Sequence, residues 1–211
     1  MIRVLIADDH AMFREGVRAV LETEPDIEVI GETANGRETL ARCQELKPDV
    51  ILLDLDMPEL DGLDVTRRLK EQGAAAKIII LTMFTSRDYA MRMLSAGAMA
   101  FVPKHSSAKI LPEVIRAVMR GQVHVPEDMK DIIVQSAFGQ NKSEILALSD
   151  RELQVLKAIA EGLTIKDIAE KYNISPRTVE THKARLTQKL GVKNKAELFK
   201  TATRMGLIIN F

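Results

Sequence analysis

The 211-residue sequence carries a single cysteine, Cys43, so it has no intrachain disulfide and no multi-cysteine metal site, which fits a reducing compartment. Helical spacing sets Cys43 beside Leu40 and Leu46, which predicts a buried, inert thiol. Net charge is also lacking: 30 Lys plus Arg offset 30 Asp plus Glu, which argues against a uniformly basic chain that coats nucleic acid or anionic membrane. Long apolar runs are absent too. The stretch within MIRVLIADD is too short for a signal peptide or a membrane span, and no later run is longer, so a cytoplasmic protein that does not meet the membrane is expected. No repeat or low-complexity tract is visible. What is there is ordinary for a globular protein, 46% hydrophobic and 28% charged, in a length that suits one large domain or two small ones.

The zero net charge is a cancellation. Residues 1–143 hold 18 basic and 22 acidic side chains, whereas residues 144–211 hold 12 basic and 8 acidic. Such asymmetry points to a polyanion as partner of the C-terminal part alone. A polar stretch with Gly139, Asn141 and Ser143 marks a linker between the two. The expected organisation is a first domain over 1–120, a linker over 121–145 and a second domain over 146–211.

The first part alternates two periodicities. Apolar, β-branched runs at 2–7, 27–32, 49–54, 77–82 and 99–104 read as strands, and the segments near 11–22, 36–46, 62–72, 86–96 and 106–120 read as helices. Five alternating pairs predict an α/β fold, a five-stranded doubly wound parallel sheet with helices on both faces. Ligands of such sheets bind at the carboxyl ends of the strands. The residues expected there are Asp8 and Asp9 after the first strand, Asp54 closing the third, Thr82 closing the fourth and Lys104 closing the fifth.

Any one of these acids is as readily a turn or cap residue. Their convergence is what matters, because clustered carboxylates raise one another's pKa unless a cation neutralises them. Oxygen donors favour Mg2+ or Mn2+ over zinc. Lys104 and the Thr82 hydroxyl could then engage phosphoryl oxygens, and an Asp carboxylate can take a phosphoryl group as an acyl phosphate. Asp54, at the end of a central strand, is the best nucleophile.

The pattern Asp8-Asp9, Asp54 with Met57-Pro58 and Asp61-Gly62, Thr82, and Pro103-Lys104 resembles the receiver domain of two-component response regulators. The resemblance implies that Asp54 accepts phosphate from a sensor histidine kinase. It also implies that Asp9 and Asp54 hold Mg2+ directly, that Asp8 assists through water, and that Asp56 offers its backbone carbonyl. Thr82 and Lys104 would bind the phosphoryl group, and Phe101 matches the switch aromatic, with Phe where Tyr is common. Two rival readings remain: an unphosphorylated interaction scaffold, and a remote aspartate-nucleophile phosphatase suggested by Asp54-Leu55-Asp56. An enzyme with turnover of its own is not expected. The methionine-rich stretch that follows Thr82 reads as core at Met91 and Met99, while Tyr89 and Met93 suit core or a repacking surface equally.

The second domain is read from its caps. Ser149 with Glu152 and Thr164 with Asp167 each start a helix, Gly162 stops the first, and Asn173, Ser175 and Pro176 set up a third over 176–190, with a fourth near 193–205. This predicts an all-α, four-helix helix-turn-helix domain. Val179, Leu186 and Leu190 form the core stripe of the third helix. Its opposite face carries Arg177, Thr181, Ala184 and Gln188, flanked by Glu180 and Arg185, and suits the major groove; Lys166, Lys183 and Lys189 suit phosphates. Leu148-Ser149, Arg151-Glu152, Gly162, Ile168-Ala169, Ser175, Thr178-Val179, His182 and Lys189-Leu190 resemble the LuxR-type DNA-binding domain. Thr178 joins the DNA-facing set through that resemblance, His182 is assigned to the framework, and Glu180 departs from a position that is often basic. Dimerisation through the last helix is implied, with Leu198, Ala202 and Met205 as its stripe, although that stripe suits core equally.

Together the two halves resemble a NarL/FixJ-class response regulator, a bacterial transcription factor. Expected partners are the kinase, a double-stranded operator, a second copy of the chain after phosphorylation and RNA polymerase.

Overall fold

The computed structural model describes residues 1–83, 87–130, 147–205 and 207. The chain divides into two compact units, Met1–Met83 with Met93–Lys130, and Phe84–Arg92 with Asp131–Phe211.

The first unit is built on a parallel sheet of β1 (Ile2–Ala7), β2 (Ile27–Thr33), β3 (Val50–Asp54), β4 (Lys77–Thr82) and β5 (Ala100–Pro103), in the order β2-β1-β3-β4-β5. Between successive strands the chain carries α1 (Ala11–Leu21), α2 (Gly36–Leu46), α3 (Gly62–Glu71) and α4 (Arg87–Ala96), the last counted with the second unit as far as Arg92, and α5 (Leu111–Met119) follows β5. Every residue of β3 and β5 is buried, as strands covered on both faces must be. Strand order reverses beside β1, so the crevice at the carboxyl ends of β1 and β3 is the topological switch point.

Register makes those ends level. Ala7 pairs with Leu53, Asp54 with Leu81 and Thr82 with Pro103, so Asp8, Asp54, Thr82 and Lys104 emerge on one rim. The helix expected over 106–120 opens instead as a 3-10 turn, Ala108–Ile110, capped by Ser107, with α5 proper beginning beside Pro112.

The stretch expected as linker begins as part of this unit. Phe101 N–H donates to the His124 carbonyl at 2.9 Å, and His124 N–H donates to the Met99 carbonyl at 3.0 Å. The edge of β5 offers those groups, and Val125 and Met129 are buried. The compact unit therefore runs to Lys130. The polar stretch 137–144 lies outside the described residues. Tyr89 and Met93 are buried, whereas Met91 and Met99, expected in the core, are half-buried. Cys43 is buried as expected, and burial pushes its thiol pKa up.

The helical part of the second unit comprises α6 (Asp150–Ala160), α7 (Ile165–Lys171), α8 (Pro176–Leu190) and α9 (Lys195–Arg204). Ser149 with Glu152 and Thr164 with Asp167 form complete capping boxes, and Ser175 accepts from Thr178 N–H. Asn173 adopts φ of 50°, the left-handed turn between α7 and α8. No described helix is long and apolar enough to cross a membrane.

Gly62, like Gly36, is fixed by close approach to backbone. A Cβ on Gly62 would stand 2.4 Å from the Asp54 carbonyl oxygen, which is backbone and cannot yield cheaply. Gly16, in α1, has open space around it. Gly62→Ala should therefore destabilise the protein by roughly 2 kcal/mol or more, while Gly16→Ala should be neutral or stabilise by up to about 1 kcal/mol, measured by urea denaturation.

Candidate functional site

The rim residues meet in one buried pocket. Lys104 Nζ lies 2.7 Å from Asp8 Oδ2 and 2.9 Å from Asp54 Oδ2. Asp8, Asp54 and Thr82 are at most 2% exposed, and the Lys104 ammonium stands 4.8 Å over the Phe13 ring. Asp9 is partly exposed at the mouth, Asp56 is half-buried and Phe101 is fully buried in β5.

Sequence reasoning missed two residues of this pocket, Phe13 and His10. Phe13 lies on α1, and only the packing of α1 against the sheet brings it to Lys104. His10 was legible, since it directly follows the acid pair. Its Nδ1 lies 2.6 Å from Asp9 Oδ1 and 3.3 Å from Asp8 Oδ1, which sets the imidazole beside the acid pair. One donor atom from each of Asp8, Asp9, His10 and Asp54 falls within 4.8 Å of all the others.

Electrostatics follow from crowding. Burial, with Asp8 and Asp56 as neighbouring charges, pushes the Asp54 carboxyl up to about 6 despite the opposing Lys104. Burial pulls the Lys104 ammonium down, but Asp54 and Asp8 more than offset this and hold it above its ordinary value. Asp8 Oδ2 and Asp54 Oδ2 are buried and, among the described residues, face only that ammonium. The pocket is thus one positive charge short, and these carboxylates fit a divalent cation.

The second candidate surface is the outer face of α8. Val179 and Leu186 are buried and Leu190 is half-buried, so the opposite face is free: Glu180, Thr181, Lys183, Ala184, Arg185 and Gln188 are exposed, as is Lys166 on α7. Thr178 is half-buried, with its hydroxyl 2.8 Å from the Ser175 hydroxyl in the cap. The Thr181 hydroxyl donates to the Arg177 carbonyl, which leaves its lone pairs to accept from elsewhere.

Two groups of residues singled out from the sequence make contacts inside the helical unit. Lys189 donates to Glu152 Oε2 at 2.7 Å and to the Ala147 carbonyl at 3.1 Å, so it ties the end of α8 to the start of α6 and its charge is already matched. Burial works to raise Glu152, but Lys189 and Ser149 hold its carboxyl below the ordinary range. Leu198, Ala202 and Met205 are at most 4% exposed, because α9 turns that stripe inward against α6; they are core, and Phe199 is the exposed apolar side chain of that helix. His182 is partly buried, and burial lowers its pKa, as a neutral framework residue requires.

The chain is similar to proteins of one kind over nearly its whole length. Residues 4–116 match the family described as response regulator receiver domain, and residues 146–202 match the bacterial regulatory proteins of the luxR family. The transcriptional regulatory protein LiaR of Bacillus subtilis is 38% identical, covering 99% of this chain and all of that one. The response regulator UvrY of Escherichia coli is 34% identical, covering 98% and 96%. Among solved structures, RcsB from Salmonella enterica bound to a promoter in the presence of the phosphomimetic BeF3- has a TM-score of 0.74 at 27% identity, covering 96% and 98%. A structure of two RcsB dimers bound to two parallel DNAs has a TM-score of 0.60 at 28% identity, over 96% and 98%.

The raised Asp54 pKa has a consequence for stability. Because the folded value, about 6, lies above the ordinary 3.8, the ionised group costs stability; the cost is absent below about pH 4 and complete above about pH 6. In metal-free protein at pH 7.5, Asp54→Asn should therefore raise stability by on the order of 2 kcal/mol, and the gain should vanish toward pH 4, as followed by thermal melts across pH.

Proposed function

The chain belongs to the bacterial response regulators that join a receiver domain to a LuxR-type DNA-binding domain, and we propose from this that phosphorylation of Asp54 by a sensor histidine kinase controls how α8 engages an operator. The observation that carries the reading is the Lys104 ammonium held between Asp8 and Asp54 at the sheet's switch point.

At neutral pH Asp54 is mostly ionised, with a lone pair available on each carboxylate oxygen. An Asp54 oxygen attacks the phosphorus of a phosphohistidine; the new O–P bond forms as the N–P bond breaks, and the imidazole leaves with the electron pair. Lys104, already beside the nucleophile, turns to the equatorial oxygens, and the Thr82 hydroxyl donates to another. The pocket walls exclude water from the acyl phosphate. Asp8, Asp9 and Asp54, with the Asp56 carbonyl, would hold Mg2+ or Mn2+, which when bound neutralises the carboxylates and the phosphoryl oxygens.

The exposed face of α8 has the chemistry for direct readout in the major groove. Arg185 can read guanine, Glu180 can accept from cytosine and the Thr181 methyl can touch thymine, while Lys166 and Lys183 neutralise phosphates. RcsB solved as dimers on DNA supports a homodimer on paired half-sites for this chain as well. The family's work, transcription regulation, supports a cytoplasmic location.

Incubation with Mg2+ and a small phosphodonor should add one phosphoryl mass to the protein and none to Asp54→Ala; a wild type that gains nothing would favour the scaffold reading. Release of many equivalents of phosphate from a generic monoester would instead favour the phosphatase. On DNA, Thr181→Ala should relax base preference by about 1 kcal/mol at one position, whereas Lys183→Ala should weaken all sequences alike and lower the salt slope by about one; the reverse pattern would overturn the assignment of this face.

A further inference from the structure

We propose that His10 is a ligand of the cation site, and that its nitrogen gives the site a preference for first-row transition ions, Mn2+ through Zn2+, over Mg2+. The proposal rests on the reading of the Asp54 pocket as a cation site. Its ground is placement. His10 is the N-cap residue of α1, yet its side chain makes no cap hydrogen bond. Its backbone N–H donates to Asp8 Oδ1 at 2.9 Å, and Arg14 donates to the Asp8 carbonyl at 2.6 Å, so the turn that carries the imidazole is fixed to the pocket wall. From there Nδ1 reaches both acids of the pair, and it completes with Asp54 a group of four donors from four residues.

The donor atoms span at most 4.8 Å, and opposite ligands at bonds of about 2.1 Å stand about 4.2 Å apart. The difference is a shift of tenths of an ångström, which the side chains of His10, 66% exposed, and Asp9, 34% exposed, are free to make. The buried oxygens of Asp8 and Asp54 supply the independent sign that a charge belongs here, since among the described residues Lys104 alone faces them. Nδ1 now donates to the Asp9 carboxylate, which can only accept; an entering ion takes the place of that proton, and neutral imidazole with its proton on the other ring nitrogen then offers the Nδ1 lone pair to the metal. Mg2+ retains water and takes oxygen ligands, whereas imidazole suits the later divalent ions, whose affinity rises along the first row. A three-carboxylate site with one imidazole therefore separates the two classes of ion where carboxylates alone separate them weakly.

The test uses the full chain, stripped of metal, titrated with MnCl2, CoCl2 and MgCl2, and probed by pulsed electron paramagnetic resonance of bound Mn2+. Histidine ligation gives nitrogen modulation on the Mn2+ signal. The expected result is that modulation in the wild type, its loss in His10→Ala and in His10→Gln, and a loss of about tenfold in Co2+ affinity in both, with Mg2+ affinity unchanged within about twofold. Circular dichroism checks that both variants fold, which the exposure of His10 favours. Absence of nitrogen modulation in the wild type, its persistence in both variants through His105, His124 or His182, or an equal loss for all three ions would overturn the proposal. If no ion binds, or if binding survives Asp54→Ala and Asp9→Ala, the cation reading of the pocket falls first and the proposal with it.

Discussion

Two buried carboxylates that share one ammonium set the terms for the receiver unit. Asp8 and Asp54 come from adjacent strands, and their shared Lys104 comes from the far edge of the sheet. None of the three could be buried alone, because an unpaired ion in a dry pocket costs several kcal/mol. The triad therefore needs the parallel register that makes the ends of β1, β3, β4 and β5 level. It also needs α3 to start hard against the Asp54 carbonyl, which only Gly62 permits. Even so, Lys104 does not cancel two acids, and Asp54 retains a carboxyl titrating near 6. The pocket is stable enough to form and unbalanced enough to want another cation.

The same reasoning explains why much of this site was legible in the sequence. Asp8, Asp9, Asp54, Thr82 and Lys104 sit at strand ends, and strand ends follow from period and apolar runs. The capping boxes at Ser149 and Thr164 were equally legible, because a cap is a contact between residues three apart. What escaped was what depends on packing. Leu198, Ala202 and Met205 form an apolar stripe whether it faces a partner or α6, and a periodicity cannot say which. Lys189 looks like every other lysine on α8 until Glu152, 37 residues earlier in the chain, is brought beside it. Phe13 and the strand-like pairing of His124 with β5 have no local signature either.

In the helical unit Glu152 plays the part that Asp54 plays in the receiver, with the opposite outcome. It too is a buried carboxylate, but Ser149 N–H donates to it at 2.7 Å and Lys189 at 2.7 Å, and its pKa falls instead of rising. A satisfied carboxylate braces α6 against α8 and thereby fixes the recognition face. A half-satisfied one at Asp54 stays available for chemistry. The difference is the count of donors, since the Ser149 N–H and the Lys189 ammonium on Glu152 exceed the half share of an ammonium that Asp54 receives.

That half share is what the proposed phosphorylation of Asp54 would act on. A phosphoryl group on Asp54 would put about −1.5 to −2 of charge where the carboxylate now carries one, and Lys104 could not follow its oxygens while keeping its present geometry with Asp8 and Asp54. The ammonium has two alternative sets of partners, and the pocket prefers one or the other according to the state of a single oxygen. Lys104 stands one residue beyond a four-residue strand, β5, that also holds Phe101. Phe101 in turn donates its backbone N–H to His124, in the segment that leads out of the unit toward Lys130. A strand this short and this fully buried moves as a body if it moves at all, so a change in what Lys104 binds falls on Phe101 and on the paired 123–125 segment together.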